Sequence, residues 1–175
     1  MIQEPAKGAA HSEAISASIG LADGQKRSVL FVSSSGGHLS QLVQLKPWWA
    51  QHERRWVTFD EPTSRSKLQG ETLIPAYHPT TRNILNMFRN LGLARKVLSE
   101  FKPDVVISNG AGVAFPFFVI AKARRIPTVY LEVYDRIDSK TVTGRLVAPI
   151  ATRFLVQWPE QQALYKGSEL VGPLY

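Results

Sequence analysis

Two glycine corners carry the residue types best suited to chemistry in this sequence. The first, Ser33-Ser34-Ser35-Gly36-Gly37-His38, ends the β-branched run SVLFVS and precedes a segment with helical spacing. Glycine lets a backbone approach a ligand closely, and a helix beginning there turns free N–H groups and its positive end toward the same point. A diphosphate suits that arrangement. A turn that needs glycine for geometry alone fits the same residues, so both readings stay open. Neither GxGxxG nor GK[ST] occurs, which removes support for a dinucleotide fingerprint or a Walker loop. At the start of a helix the dipole disfavours an imidazolium, so His38 is expected as a neutral ring. Such a ring either takes a proton from an acceptor hydroxyl or hydrogen-bonds a phosphate oxygen.

The second corner, Ser108-Asn109-Gly110-Ala111-Gly112, again separates an apolar run from a helical segment. Asn109 and Gly110 are the candidate phosphate contacts here, beside Gly36 and Gly37 at the first corner. Glu132 closes the next apolar run and is the acid assigned a catalytic, positioning part; Asp135 and Asp138 follow it, and these acids can orient a sugar, pair with Arg136 or simply be solvated.

Positioning these residues requires short buried strands alternating with helices. Strands are predicted at Ser28 to Ser33, Arg55 to Phe59, Thr72 to Ile74, Asp104 to Ser108, Pro127 to Leu131 and Arg153 to Gln157, with a brief extended piece at Glu169 to Val171. Helices are predicted at His38 to Ala50, Asn83 to Phe101, Val113 to Arg124 and Ser139 to Ile150, and a short one opens at Pro159. Asp60 to Gly70 shows no apolar period and is expected as a surface loop. In Asn83 to Phe101, the apolar residues Ile84, Met87, Phe88, Leu91, Ala94, Leu98 and Phe101 mark one face, with Arg82, Arg89 and Lys96 on a shared exposed side. The pattern implies an α/β fold, a single Rossmann-like parallel sheet whose ligands gather at the strands' carboxyl ends.

Composition narrows the class. With 175 residues, 44% hydrophobic and 20% charged, one globular domain is the expectation. Residues 1–27 balance three acids against three bases and lack aromatics, which predicts a flexible tail before a domain at 28–175. The net charge of +7 therefore falls on the domain and favours an anionic partner. Cysteine is absent, excluding disulfides and thiolate metal sites; no metal and no cofactor is expected. The sequence shows neither a signal peptide nor an apolar run near the ~20 residues of a spanning helix. The helix from Val113, with Phe115, Phe117, Phe118, Val119 and Ile120 ahead of Lys122, Arg124 and Arg125, reads either as a monotopic face for anionic lipid or as an ordinary buried helix. No nucleic-acid motif accompanies the positive charge, and no nucleic acid is expected as a partner.

Taken together, SSSGGHLSQL, SNGAGVAFPFF, the Leu131-Glu132 pair, TGRLVAPIATRFLVQWPE and the closing VGPLY resemble the Alg14-like family, including bacterial exopolysaccharide and capsule proteins of the PssD and CpsF type. The similarity runs from Ser28 to Tyr175. It implies half of a GT-B glycosyltransferase, the N-terminal Rossmann-like domain that handles a polyprenyl-diphosphate-linked acceptor while an Alg13-like subunit holds the UDP-sugar. In the related single-chain enzyme MurG a glycine-rich turn ends in a His near the acceptor, and Gly36, Gly37 and His38 match that turn. The family's use of its C-terminal segment implies partner docking through Leu170, Pro173, Leu174 and Tyr175. A polar N-terminus where eukaryotic relatives carry a membrane helix implies peripheral attachment at the cytoplasmic face, against an anionic membrane surface. A non-catalytic scaffold that recruits and activates the partner is the alternative.

Overall fold

The computed structural model describes residues 25–174. Seven parallel strands form one sheet: β1 (Ser28–Val32), β2 (Glu53–Thr58), β3 (Leu73–Pro75), β4 (Val105–Ser108), β5 (Thr128–Leu131), β6 (Arg153–Val156) and β7 (Glu169–Leu170), in the order β3-β2-β1-β4-β5-β6-β7. The chain leaves β1 in one direction and returns to its other side at β4, so the strand order reverses between these two. In open α/β sheets that reversal is where a crevice opens at the carboxyl edge. Both glycine corners leave from those two strands.

Alternate residues face opposite layers, because the side-chain period of a strand is two. Leu30, Val32, Val106, Tyr130 and Phe154 point to one core, covered by α4 (Ile84–Phe101) and α5 (Ala114–Ala123). Val29, Phe31, Trp56, Ile107 and Leu155 point to the other, covered by α1 (Gly37–Gln44) and α2 (Lys46–Trp49). There Phe31 stacks on Trp56 at 4.2 Å, and Trp49 donates its indole N–H to the Leu42 carbonyl at 3.0 Å. The remaining helices are α3 (Pro62–Lys67), α6 (Val142–Val147) and α7 (Pro159–Leu164).

Four elements depart from expectation. The helix expected from His38 to Ala50 is broken after Gln44, where Leu45 ends α1 and Pro47 enters α2; a proline lacks the N–H that an unbroken helix would need. The segment expected as a loop after Asp60 contains α3, which starts on Pro62 and buries only Ser64, so it has no apolar stripe to read. The helix expected from Ser139 shrinks to α6, started by Thr141, whose hydroxyl accepts from the Gly144 N–H at 2.9 Å.

The fourth departure concerns α4. Its second half buries Ala94, Val97, Leu98 and Phe101, as the period requires, whereas its first two turns are inside out. Ile84, Leu85 and Phe88 are 70%, 61% and 59% exposed, and the buried side chains are Asn86 and Asn90. Both asparagines hold the preceding loop: Asn86 donates to the Pro79 carbonyl, and Asn90 accepts from the Tyr77 N–H while donating to its carbonyl. Asn83 caps the helix by accepting from the Asn86 N–H at 2.9 Å. Polar residues thus seat the helix start and leave its hydrophobes facing outward. The Phe-rich α5, by contrast, buries Ala114, Pro116, Phe117, Phe118 and Ala121, which makes it a core helix.

Candidate functional site

At the carboxyl edge the two corners interlock through His38. Asn109 donates its side-chain N–H to the His38 carbonyl at 2.5 Å. Gly110 lies against the imidazole: a Cβ there would stand 3.5 Å from His38 Cδ2 and Nε2 and 2.9 Å from the Tyr130 hydroxyl. With φ at +118°, this position also suits glycine conformationally. Gly112, two residues on, admits the loop ahead of α4, since a Cβ there would come within 2.9 Å of Thr80.

These contacts separate the predicted phosphate ligands into two groups. Asn109 is fully buried and spends its amide on His38, and the Gly110 N–H donates to Ser108 Oγ at 3.2 Å. Asn109 thereby ties the second corner to the His38 backbone, and the Gly110 N–H is turned back onto Ser108. Gly36 and Gly37 are exposed, with open space where side chains would stand, and no side chain caps α1. A helix start left exposed and without a side-chain cap is an arrangement that suits an anion. Lys67, from the unforeseen α3, reaches the same turn, donating to the Gly36 carbonyl at 3.5 Å and to Ser40 Oγ.

A cavity of about 230 Å³ lies beside the ring, lined among others by His38, Tyr130, Asp135, Arg136, Thr141 and Thr143. Burial holds the His38 imidazole below its ordinary pKa, and the charge of Asp135 raises it part of the way back. The ring is thus neutral at pH 7, able to take a proton, and faces a carboxylate that favours its charged form once the proton arrives.

Glu132 is wholly buried. Its carboxylate accepts from the Thr141 hydroxyl at 3.1 and 3.2 Å, from the Val133 N–H at 3.1 Å and from the Tyr165 hydroxyl. Burial lifts its pKa above the usual carboxylate range against these bonds. The surrounding space is closed: a Cβ on Gly144 would overlap the Glu132 carboxylate, the Tyr165 hydroxyl and Thr141 Oγ1. Such a carboxylate cannot touch a substrate; it fixes Thr141 and hence the start of α6, which is a positioning part. Tyr130, Thr141, Gly144 and Tyr165 were not foreseen, and the Thr141-x-x-Gly144 cap ahead of an apolar turn is the one signal that marks any of them.

A second cavity of about 720 Å³, lined among others by Thr80, Arg82, Met87, Phe115, Val142 and Leu146, shares Val142 and Thr143 with the first. Val142 is 75% exposed, and Leu146 and Tyr134 are exposed as well. Val142 and Leu146 thus share this cavity with Ile84 and Met87 from the inverted start of α4, and Arg82 lines it as well, with Arg89 exposed on the same helix.

Of the predicted docking residues, Leu170 is exposed and Pro173 half-buried, whereas Leu174 turns back onto the molecule. Its N–H donates to Gln157 Oε1 at 3.1 Å and its side chain joins the α1 and α2 core. Gln157 in turn donates to the Glu132 carbonyl at 2.9 Å, linking the C-terminal segment to the site. Tyr175 lies outside the described residues.

The sequence model described as "Oligosaccharide biosynthesis protein Alg14 like" matches residues 64–174. The UDP-N-acetylglucosamine transferase subunit ALG14 of Mus musculus is 24% identical over 82% of this chain and 81% of its own length, and that of Homo sapiens 24% over 83% and 82%. Among solved structures, Acinetobacter baumannii MurG superposes with a TM-score of 0.62 at 17% identity, covering 77% of this chain and 42% of MurG. A UDP-GlcNAc 2-epimerase from Methanocaldococcus jannaschii gives 0.62 at 16% identity, over 81% of this chain and 43% of its own. The chain thus spans under half the length of those structures, and the likeness to them is one of fold, the Rossmann-like half of a GT-B architecture.

Proposed function

This chain belongs to the Alg14-like family of oligosaccharide biosynthesis proteins, and from that premise we propose that it is the acceptor-binding subunit of a glycosyltransferase working at a membrane surface. In this reading a lipid-linked diphosphate sugar enters along the apolar end of the depression and places a hydroxyl at His38. An Alg13-like partner holds the UDP-sugar, with UDP-N-acetylglucosamine the donor to test first because the relatives carry that name. The observation that carries the reading is a half-buried, neutral histidine whose cavity shares Val142 and Thr143 with the cavity of an exposed, arginine-fringed apolar face.

The chemistry is an inverting displacement. His38 takes the proton as the acceptor oxygen attacks the anomeric carbon, the bond to UDP breaks, and UDP leaves with the electron pair. Asp135 steadies the imidazolium formed. Gly36, Gly37 and Lys67 face the acceptor's diphosphate. Glu132 keeps Thr141 and α6 in place beside the ring. Ile84, Leu85 and Phe88 enter the lipid surface, with Arg82 and Arg89 against anionic headgroups; no described helix is long and apolar enough to cross a membrane.

Turnover by the full-length chain copurified with its partner tests this. His38→Ala is expected to lower kcat roughly 10²- to 10⁴-fold, the usual worth of a positioned base, without loosening the subunits. Undiminished turnover in that variant would favour the scaffold alternative instead.

A further inference from the structure

The loop between β5 and α6 supplies Asp135 and Arg136 to the wall of the His38 cavity, yet it forms neither strand nor helix. A backbone of that kind is fixed by whatever binds its carbonyl and N–H groups. Here the donors come from one short stretch, Gln157, Trp158 and Gln161, where β6 ends and α7 begins. Gln157 Nε2 donates to the Glu132 carbonyl at 2.9 Å, and Trp158 Nε1 to the Tyr134 carbonyl at 2.8 Å. Gln161 Nε2 donates to the Val133 and Arg136 carbonyls at 2.7 and 3.1 Å. Asp135 sits among these anchored residues.

The fully buried amide of Gln161 is divided between two tasks. Its oxygen accepts from the Gln157 and Trp158 N–H groups at 2.9 and 3.3 Å, which caps α7 locally. A glutamate at this position caps a helix in the same way. The nitrogen half of the amide is therefore what the loop uses, across separations of 28 and 25 residues. Charge shows why the loop's placement matters: Asp135 is the charge that raises the basicity of the His38 ring against the effect of burial. The other titratable or charged groups around that ring are Arg136 from the same loop and Tyr130 from β5, whose phenol burial keeps protonated. Glu132 lies behind Thr141, and Lys67 reaches the Gly36 turn from α3.

We propose that Gln161, supported by Gln157 and Trp158, is a positioning residue for the transfer reaction, holding the loop so that the Asp135 carboxylate stays at the His38 cavity. The inference rests on the role given to His38 above and extends it to residues that touch no substrate. Gln161 acts on the loop, the loop places Asp135, and Asp135 steadies the imidazolium.

Magnetic resonance titration of the full-length chain carrying labelled histidine tests this without needing turnover. The chain has four histidines, and His38→Ala assigns the one of interest. Asp135→Asn sets the reference: its His38 midpoint should lie below the wild-type value, because a neighbouring negative charge has gone. Gln161→Met and Trp158→Phe are expected to lower the midpoint in the same direction, by about half as much or more, and to add little when combined with Asp135→Asn. The resonance of His52, buried against Trp48 on the other face of the sheet, should stay in place and report that the variants are folded. Should Gln161→Met not fold, Trp158→Phe decides alone, since it keeps a ring at a half-buried position and removes one N–H. A midpoint at or above the wild-type value in a folded variant overturns the inference, and so does a shift that adds in full to that of Asp135→Asn. In the complex with the partner, the acid limb of kcat/KM should follow the same midpoints. If the midpoints move as expected while His38→Ala leaves turnover intact, the functional reading fails and the hold of Gln161 on the Asp135 loop stands.

Discussion

At the residue scale, the site depends on how little room surrounds His38. Gly110 lets the ring lie against the second corner, Asn109 fixes its carbonyl, and burial keeps the imidazole neutral. Because the folded pKa lies below the ordinary 6.5, the base remains available through neutral pH and activity falls only on the acid side. Asp135 raises that pKa, so removing its charge has a definite sign. Asp135→Asn should move the acid limb of the kcat/KM profile to lower pH while reducing kcat, since the imidazolium loses its neighbouring carboxylate. A limb that shifts upward, or stays fixed, would mean that another group titrates. His38 and both glycine corners were legible in the sequence because glycine between a strand and a helix is a strong local signal. The division of labour between the corners was not, since whether an N–H is free or spent depends on residues far away in sequence, such as the 71-residue separation between Asn109 and His38.

At the element scale, strand positions were legible almost throughout, since buried parallel strands are short β-branched runs. Helix faces were less so. The period of α4 is genuine, yet a period does not say which part of a stripe the fold covers. Buried Asn86 and Asn90 turn its first two turns around, and nothing in a hydrophobic pattern announces that exchange. As a result the lipid-facing candidate moved from α5, which is core, to the start of α4 and α6. Flotation with vesicles containing anionic lipid should show the consequence. The double variant Leu85→Gln, Phe88→Gln is expected to reduce the bound fraction severalfold and to make what remains salt-sensitive, because only the arginine contribution is left. Unchanged binding would place the membrane surface elsewhere. The short helix α3 escaped detection for the opposite reason: with only Ser64 buried it carries no pattern, though it brings Lys67 to the first corner.

For the molecule as a whole, the sheet separates chemistry from stability. Its carboxyl edge carries the site, while near the opposite edge the buried His52 packs against Trp48 at 4.6 Å with neither ring nitrogen partnered. Burial lowers the His52 pKa, with Arg27 and Arg54 adding to the effect. The unfolded chain therefore binds a proton near pH 6.5 that the folded chain refuses, so stability falls as pH drops below that value. Glu132 acts in the opposite sense, because its raised pKa relieves the folded state as it protonates. His52→Leu should consequently reduce the loss of Tm between pH 7 and pH 5.5, a window above the ordinary carboxylate range, and thermal unfolding across those buffers measures it. An identical loss in the variant would assign the acid sensitivity to other groups.

One measurement reaches the central claim most directly: binding and turnover by the isolated full-length chain, then by the same chain with its partner, using a diphosphate-linked lipid sugar and UDP-N-acetylglucosamine. The chain alone is expected to bind the lipid-linked acceptor, to leave the nucleotide sugar unbound and to transfer nothing, with turnover appearing when the partner is added and disappearing in His38→Ala. Tight binding of UDP-N-acetylglucosamine and sugar transfer by the chain alone would contradict the account.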